Sequence, residues 1–180
     1  MRRARWGTIA LWGAAVAGGI HGLFSLYWAV GGRWLLDTVG AWAVDLTERA
    51  QVLVVLLLLL VAAVKAAAAV IPLAVEAGRM PGRRRWRAVE WAGVALLVGY
   101  GGLTTIVAAL VLLGAIEPDG GYDRASMIGH ALLWDPLFLV WGVLLGIGLA
   151  LTRDRAIPAG DGRDGDRPAG RAAGIQLRSD

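Results

Sequence analysis

Four long apolar stretches, about residues 6–30, 51–73, 88–116 and 126–152, are separated by short polar segments, and this spacing constrains the chain more than any motif in it. A spanning helix needs roughly 20 mainly apolar residues to cross about 30 Å of hydrocarbon at about 1.5 Å per residue. Each stretch meets that length. None alternates with period two, as a membrane barrel strand would, and backbone groups in lipid must find partners within the span. The sequence therefore predicts an all-α fold, an integral membrane four-helix bundle over residues 1–152. A hydrophobic share of 57% against 18% charged residues excludes an ordinary soluble domain. With no cysteine, disulfide frameworks and thiolate chemistry are excluded as well. From Arg153 the chain turns to Gly, Pro, Asp and Arg, so residues 153–180 read as a disordered cytoplasmic tail.

Basic residues near span ends stay in the cytoplasm, which orients the bundle. Arg2, Arg3 and Arg5 precede the first span, Arg79, Arg83, Arg84, Arg85 and Arg87 fill the turn between the second and third, and Arg153 and Arg155 follow the fourth. The opposite loops are mainly acidic, with Asp37, Asp45, Glu48, Glu117, Asp119 and Asp123. The expected location is a bacterial cytoplasmic membrane, multi-pass, with both termini inside. The net charge of +4 reports this sidedness and no nucleic-acid partner is expected. Arg83, Arg84, Arg85 and Arg87 are expected to touch anionic lipid headgroups. A signal peptide cut near Ala15-Val16-Ala17 is the competing reading of the N-terminus, but apolar sequence runs on to Val30, the length of a full span.

Tryptophans fall near the predicted interfaces, Trp6, Trp12, Trp86 and Trp91 inside and Trp28, Trp34, Trp42 and Trp134 outside, as amphipathic rings prefer. Trp141 lies deeper. Between the first two spans, Leu35, Val39, Trp42 and Leu46 recur at helical spacing and predict a short outer interfacial helix.

Ionisable residues inside hydrocarbon are costly and are functional candidates by default. Four stand out: His21, Lys65, Glu90 and Asp135. Counting from the cytoplasmic boundary puts His21 about 21 Å and Asp135 about 26 Å up, within side-chain reach. A proton-linked or ligand-orienting His21–Asp135 pair is therefore one expectation. The other is that Asp135, followed by Pro136, caps a fourth span broken at that point. Lys65 and Glu90 form a candidate structural ion pair in the inner half. Gly18 with Gly22 and Gly142 with Gly146 make G-x-x-x-G faces, which are expected to pack on each other or on a membrane partner. His21 and His130 invite a bis-imidazole haem, but a continuous fourth helix sets His130 about 12–14 Å farther out. No cofactor and no metal site is expected. No nucleotide, hydrolase-elbow or zinc motif occurs.

The stretch His21-Gly22-Leu23-Phe24-Ser25-Leu26-Tyr27-Trp28-Ala29-Val30-Gly31-Gly32 resembles the H-x-x-Y-W-A-x-G-G type signature of small four-span bacterial membrane proteins, the domain of unknown function 3995 family, with six residues between His21 and Trp28. Gly129-His130-Ala131-Leu132-Leu133-Trp134-Asp135-Pro136, followed by Phe138 and Trp141-Gly142, is similar to the fourth-span region of its members. The resemblance covers about residues 6–152. It implies that His21, Tyr27, Trp28, Gly31, Gly32, Trp134, Asp135 and Pro136 form one outer-side cluster, and it implies no particular chemistry. Two functions stay open: a proton or small lipophilic ligand site, for a quinone among others, built on His21 and Asp135, or a non-catalytic membrane partner or assembly factor, a homo-oligomer included, that packs through glycine faces. Nothing in the sequence assigns an enzyme activity.

Overall fold

The computed structural model describes residues 2–153, so all but the first residue of the tail expected over 153–180 lies outside the described residues. Four helices are long and apolar enough to cross a membrane: α1 (Arg2–Ala29), α3 (Gln51–Glu76), α4 (Arg83–Leu112) and the run Arg124–Thr152. A short α2 (Ala41–Arg49) lies between the first two. It starts six residues after Leu35, because Leu35 at φ 61° and Gly40 at φ 141° belong to the turns before it. Leu36 from those turns is buried instead, with Trp28, Ala43 and Trp134.

The fourth crossing is built from α5 (Arg124–Gly129), a π-helical turn (His130–Trp134) and α6 (Asp135–Thr152). It does not break at Asp135, whose backbone stays helical at φ −76° and ψ −39°, so the side chain is no N-cap. Proline lacks an N–H and crowds the carbonyl four residues earlier. Widening the preceding turn to an i→i+5 repeat accommodates Pro136 without stopping the helix. The start of the run is capped by Asp123, whose carboxylate accepts from the N–H groups of Ala125 and Ser126 at 3.0 and 3.4 Å.

Two helix ends show why the polar turns fall where they do. Gly78 (φ 71°) and Gly114 (φ 72°) adopt the left-handed conformation that closes α3 and α4, with Arg79 N–H donating to Ala74 O and Ala115 N–H to Leu110 O, both at 2.9 Å.

The helices pack in the order α3, α1, α6, α4, with α1 and α6 central. Accordingly 44% of the apolar part of α1 and 39% of that of the fourth crossing are buried, against 17% for α3 and for α4. Leu11, Ala14 and Ala17 of α1 meet Ala69 of α3 and Trp141, Leu145 and Leu149 of α6 in the main core. Although joined by a short turn, α3 and α4 touch sparsely and leave a cleft between them.

The glycine faces are used within the chain, in a different pairing from the expected one. A Cβ on Gly18 would meet the Trp141 ring of α6 at 2.5 Å, while one on Gly22 would face Lys65 Cβ of α3 at 3.4 Å. Gly142 and Gly146 face Leu97, Val98 and Val94 of α4 instead of α1. The α1–α6 approach is made at Gly7 and Gly148, whose added Cβ atoms would sit 2.7 Å from Thr152 and 2.6 Å from Leu11. Small residues let backbones come close wherever they fall on a contact face, and G-x-x-x-G spacing alone does not name the partner.

Candidate functional site

A polar layer crosses the half of the bundle away from the arginine-rich turn. On α3, Lys65 Nζ donates to His21 Nδ1 of α1 at 3.0 Å and to Ser25 Oγ at 2.9 Å. The ammonium also lies 5.6 Å from the centroid of the Phe138 ring of α6. Because an ammonium only donates, Nδ1 of His21 accepts and the ring proton is assigned to Nε2. That Nε2–H is buried and finds no acceptor among the described residues. The imidazole is covered by Phe138 and Trp134, with ring centroids at 3.9 and 5.7 Å.

Asp135, 1% exposed, turns to another face and bonds His130 Nδ1 through Oδ2 at 3.0 Å. His130 Nε2 donates to the Val39 carbonyl at 3.3 Å. With acceptors on both ring nitrogens, a proton must lie between Nδ1 and Oδ2, either as imidazolium with carboxylate or as imidazole with carboxylic acid. The π turn makes this pair. Residues five apart stand about 140° apart around an α-helix but come onto one face where the repeat is i→i+5.

Two expected pairs are therefore corrected. His21 and Asp135 share a level, but the Trp134 and Phe138 faces of the fourth crossing meet His21, and Asp135 lies against α4, where a Cβ on Gly101 would be 2.7 Å from its carbonyl oxygen. Lys65 and Glu90 do not pair either, because α3 packs on α1 and directs Lys65 there. Both Glu90 oxygens are buried without a hydrogen-bond partner among the described residues.

The tryptophans divide by burial. Trp6, Trp12, Trp34 and Trp91 are exposed, as membrane-interface anchors are. Trp28 and Trp134 are buried, and their indoles fasten the 31–40 segment: Trp28 Nε1 donates to Trp34 O and Trp134 Nε1 to Thr38 Oγ1, both at 3.0 Å. The Tyr27 hydroxyl accepts from Trp34 N–H at 3.3 Å, so it too serves this segment. Phe24 packs against Trp28, Trp34 and Trp134.

At the basic end, α4 begins at Arg83, five residues before the expected span, which places Arg83 and Arg87 one turn apart on one face. Both bond the buried Glu76 carboxylate, Arg83 at 3.0 Å to each oxygen. They also satisfy the last carbonyls of α6, Arg87 that of Leu149 at 2.5 Å and Arg83 that of Thr152 at 2.7 Å. These two arginines thus face inward, contrary to the headgroup expectation, while Arg84 and Arg85 are exposed.

Sequence reasoning did not select Ser25, His130, Glu76 or Thr38 for these networks. Glu76 and the arginines carried a readable signal, a lone carboxylate seven residues before a basic helix start. His130 carried one only to a reader who expected a π turn ahead of Pro136.

Four apolar crossings around buried polar groups define a helical multi-span membrane protein. A family model described as a protein of unknown function, DUF3995, matches residues 18–145. The chain belongs to that family. No curated protein and no solved structure matches it.

Proposed function

We propose that this is a protein of the bacterial cytoplasmic membrane with both termini inside, and that its outer-half polar layer is a site for a proton or a small lipophilic hydrogen-bonding ligand. The centre of the site is His21 held by Lys65 and Ser25, with the His130–Asp135 pair on the far side of Trp134 and Phe138. One observation carries this reading: the His21 Nε2–H is buried without an acceptor, although Lys65 fixes the ring through its other nitrogen. Leaving a buried donor unpaired costs roughly 1–3 kcal/mol, so a donor held in this way is one that a proton acceptor or ligand would use.

The chain has two histidines, one in each network, which makes the test direct. Solid-state nitrogen NMR of histidine-labelled protein in bilayers should find His21 protonated at Nε2 and accepting at Nδ1, with an Nε2 proton that exchanges into deuterated buffer. Lys65→Met should abolish that tautomer preference. A proton on Nδ1, or an Nε2 proton that never exchanges, would sink the reading and leave a structural hydrogen bond.

The orientation rests on the arginines, of which Arg84 and Arg85 remain available to anionic headgroups. The absence of cysteine allows single-site labelling. Arg84→Cys should react with an impermeant maleimide only after the cells are opened, and Asp119→Cys should react in intact cells; the reverse pattern refutes the orientation.

A further inference from the structure

We propose that the cleft between α3 and α4 binds a neutral, hydroxyl-bearing lipid through the Glu90 carboxyl and the Trp141 indole. The cleft encloses a cavity of about 310 Å³ whose walls include Ala67 and Pro72 of α3, Glu90 and Gly93 of α4, and Trp141 of α6. That volume is at the lower end of small-ligand pockets. It holds a head and the first part of a chain, and the rest of the chain lies between the helices.

Two residues on the wall of this otherwise apolar cavity carry buried polar atoms without partners among the described residues. Glu90 is 6% exposed and Trp141 2%, and neither the two carboxyl oxygens nor the indole Nε1 makes a hydrogen bond among the described residues. Leaving such groups unsatisfied costs roughly 1–3 kcal/mol each, and an occupant that pairs with them recovers part of that. The access route is lateral. Val64 and Val89 on the rim are 59% and 62% exposed on faces that meet hydrocarbon, so the occupant comes from the bilayer.

The head chemistry follows from the groups that wait for it. An indole only donates and a carboxyl oxygen accepts, so a head that brings one acceptor and one donor pairs with both. A hydroxyl beside a second oxygen does both. The head carries no negative charge, because Arg83 and Arg87 are both bonded to Glu76 and leave no cation for it. A charged head would leave a net charge in hydrocarbon. Acylglycerols and isoprenoid quinols share this chemistry. The site is separate from the His21 layer and does not depend on its role.

Native mass spectrometry of the delipidated full chain in mild detergent tests the proposal, with dioleoylglycerol and a reduced menaquinol as separate probes. At least one should give a one-to-one adduct, and which one does so identifies the source. The matching methyl ether, which cannot donate, should bind at least tenfold more weakly. Glu90→Leu should weaken binding at least tenfold, and Glu90→Gln, whose amide donates and accepts, by no more than about threefold. Gly93→Leu fills the cavity where an added Cβ meets nothing within 4 Å, so it should block the adduct while the protein stays monodisperse with an unfolding temperature no lower than the parent's. His21→Ala should bind as the parent does, which separates this site from the polar layer. Equal binding of the methyl ether, undiminished binding to Gly93→Leu, or no adduct with either lipid overturns the proposal.

Discussion

Replacing Glu76 by alanine tests what holds the basic end of the bundle together. The Glu76 side chain is 4% exposed, and its two arginine partners, Arg87 and Arg83, are 13% and 20% exposed. Removing one partner of a buried pair typically costs about 3–5 kcal/mol, because the remaining charge stays desolvated. Here the arginines keep the carbonyls of Leu149 and Thr152 and the negative end of α6. The cost should therefore fall at the low end, about 3 kcal/mol, or about a hundredfold in the folded-to-unfolded ratio. For a chain of this size that corresponds to a fall of about 6–12 °C in the unfolding temperature. Thermal unfolding in mild detergent, with and without phosphatidylglycerol, reads it and exposes any lipid contribution. Glu76→Gln, which still accepts, should lose about half as much. The Glu76→Leu, Arg87→Leu double variant should lose clearly less than the sum of its single changes, because Arg87 is no longer left stranded and only Arg83 loses its carboxylate. A fall below about 2 °C for Glu76→Ala, or additivity in the double variant, would refute the argument that these buried charges depend on each other.

The other predictions concern the helix contacts and the end of the bundle away from the arginines. A Cβ on Gly101 would lie 2.7 Å from backbone atoms of Asp135 and Leu139, which cannot swing away, so Gly101→Ala should cost about 1–3 kcal/mol. Gly99→Ala meets nothing within 4 Å and should instead stabilise by about 0.5–1 kcal/mol in the same unfolding assay; the opposite ranking contradicts the packing described. His130→Ala strands Asp135 and should cost about 1–3 kcal/mol, and adding Asp135→Ala should cost little more. Additive losses there would mean that the two residues do not act as a pair. Trp134→Phe removes the bond to Thr38 at a cost of about 1 kcal/mol and should speed hydrogen exchange of the 31–40 amides. Unchanged exchange would show that the indole does not fasten the segment.

Much of this protein was determined by its sequence alone, because the relevant physics is one-dimensional. Hydrocarbon thickness and backbone hydrogen bonding translate a run of apolar residues directly into a crossing helix, so four crossings, the short helix after the first and the family were all legible. The list of costly polar groups was legible for the same reason, since His21, Lys65, Glu90 and Asp135 interrupt those runs. Who pairs with whom was not. A level along a helix can be counted from the sequence, but the face it presents depends on which neighbour it packs against and on its local winding. Because α3 lies on α1, Lys65 reaches His21 instead of Glu90. Because the fourth crossing contains a π turn ahead of Pro136, Asp135 turns to His130, and the sparse contact between α3 and α4 leaves Glu90 facing a cavity. Only the tertiary arrangement settles such pairings, since each compares alternatives of similar sequence spacing whose energies differ through contacts between segments far apart in the chain.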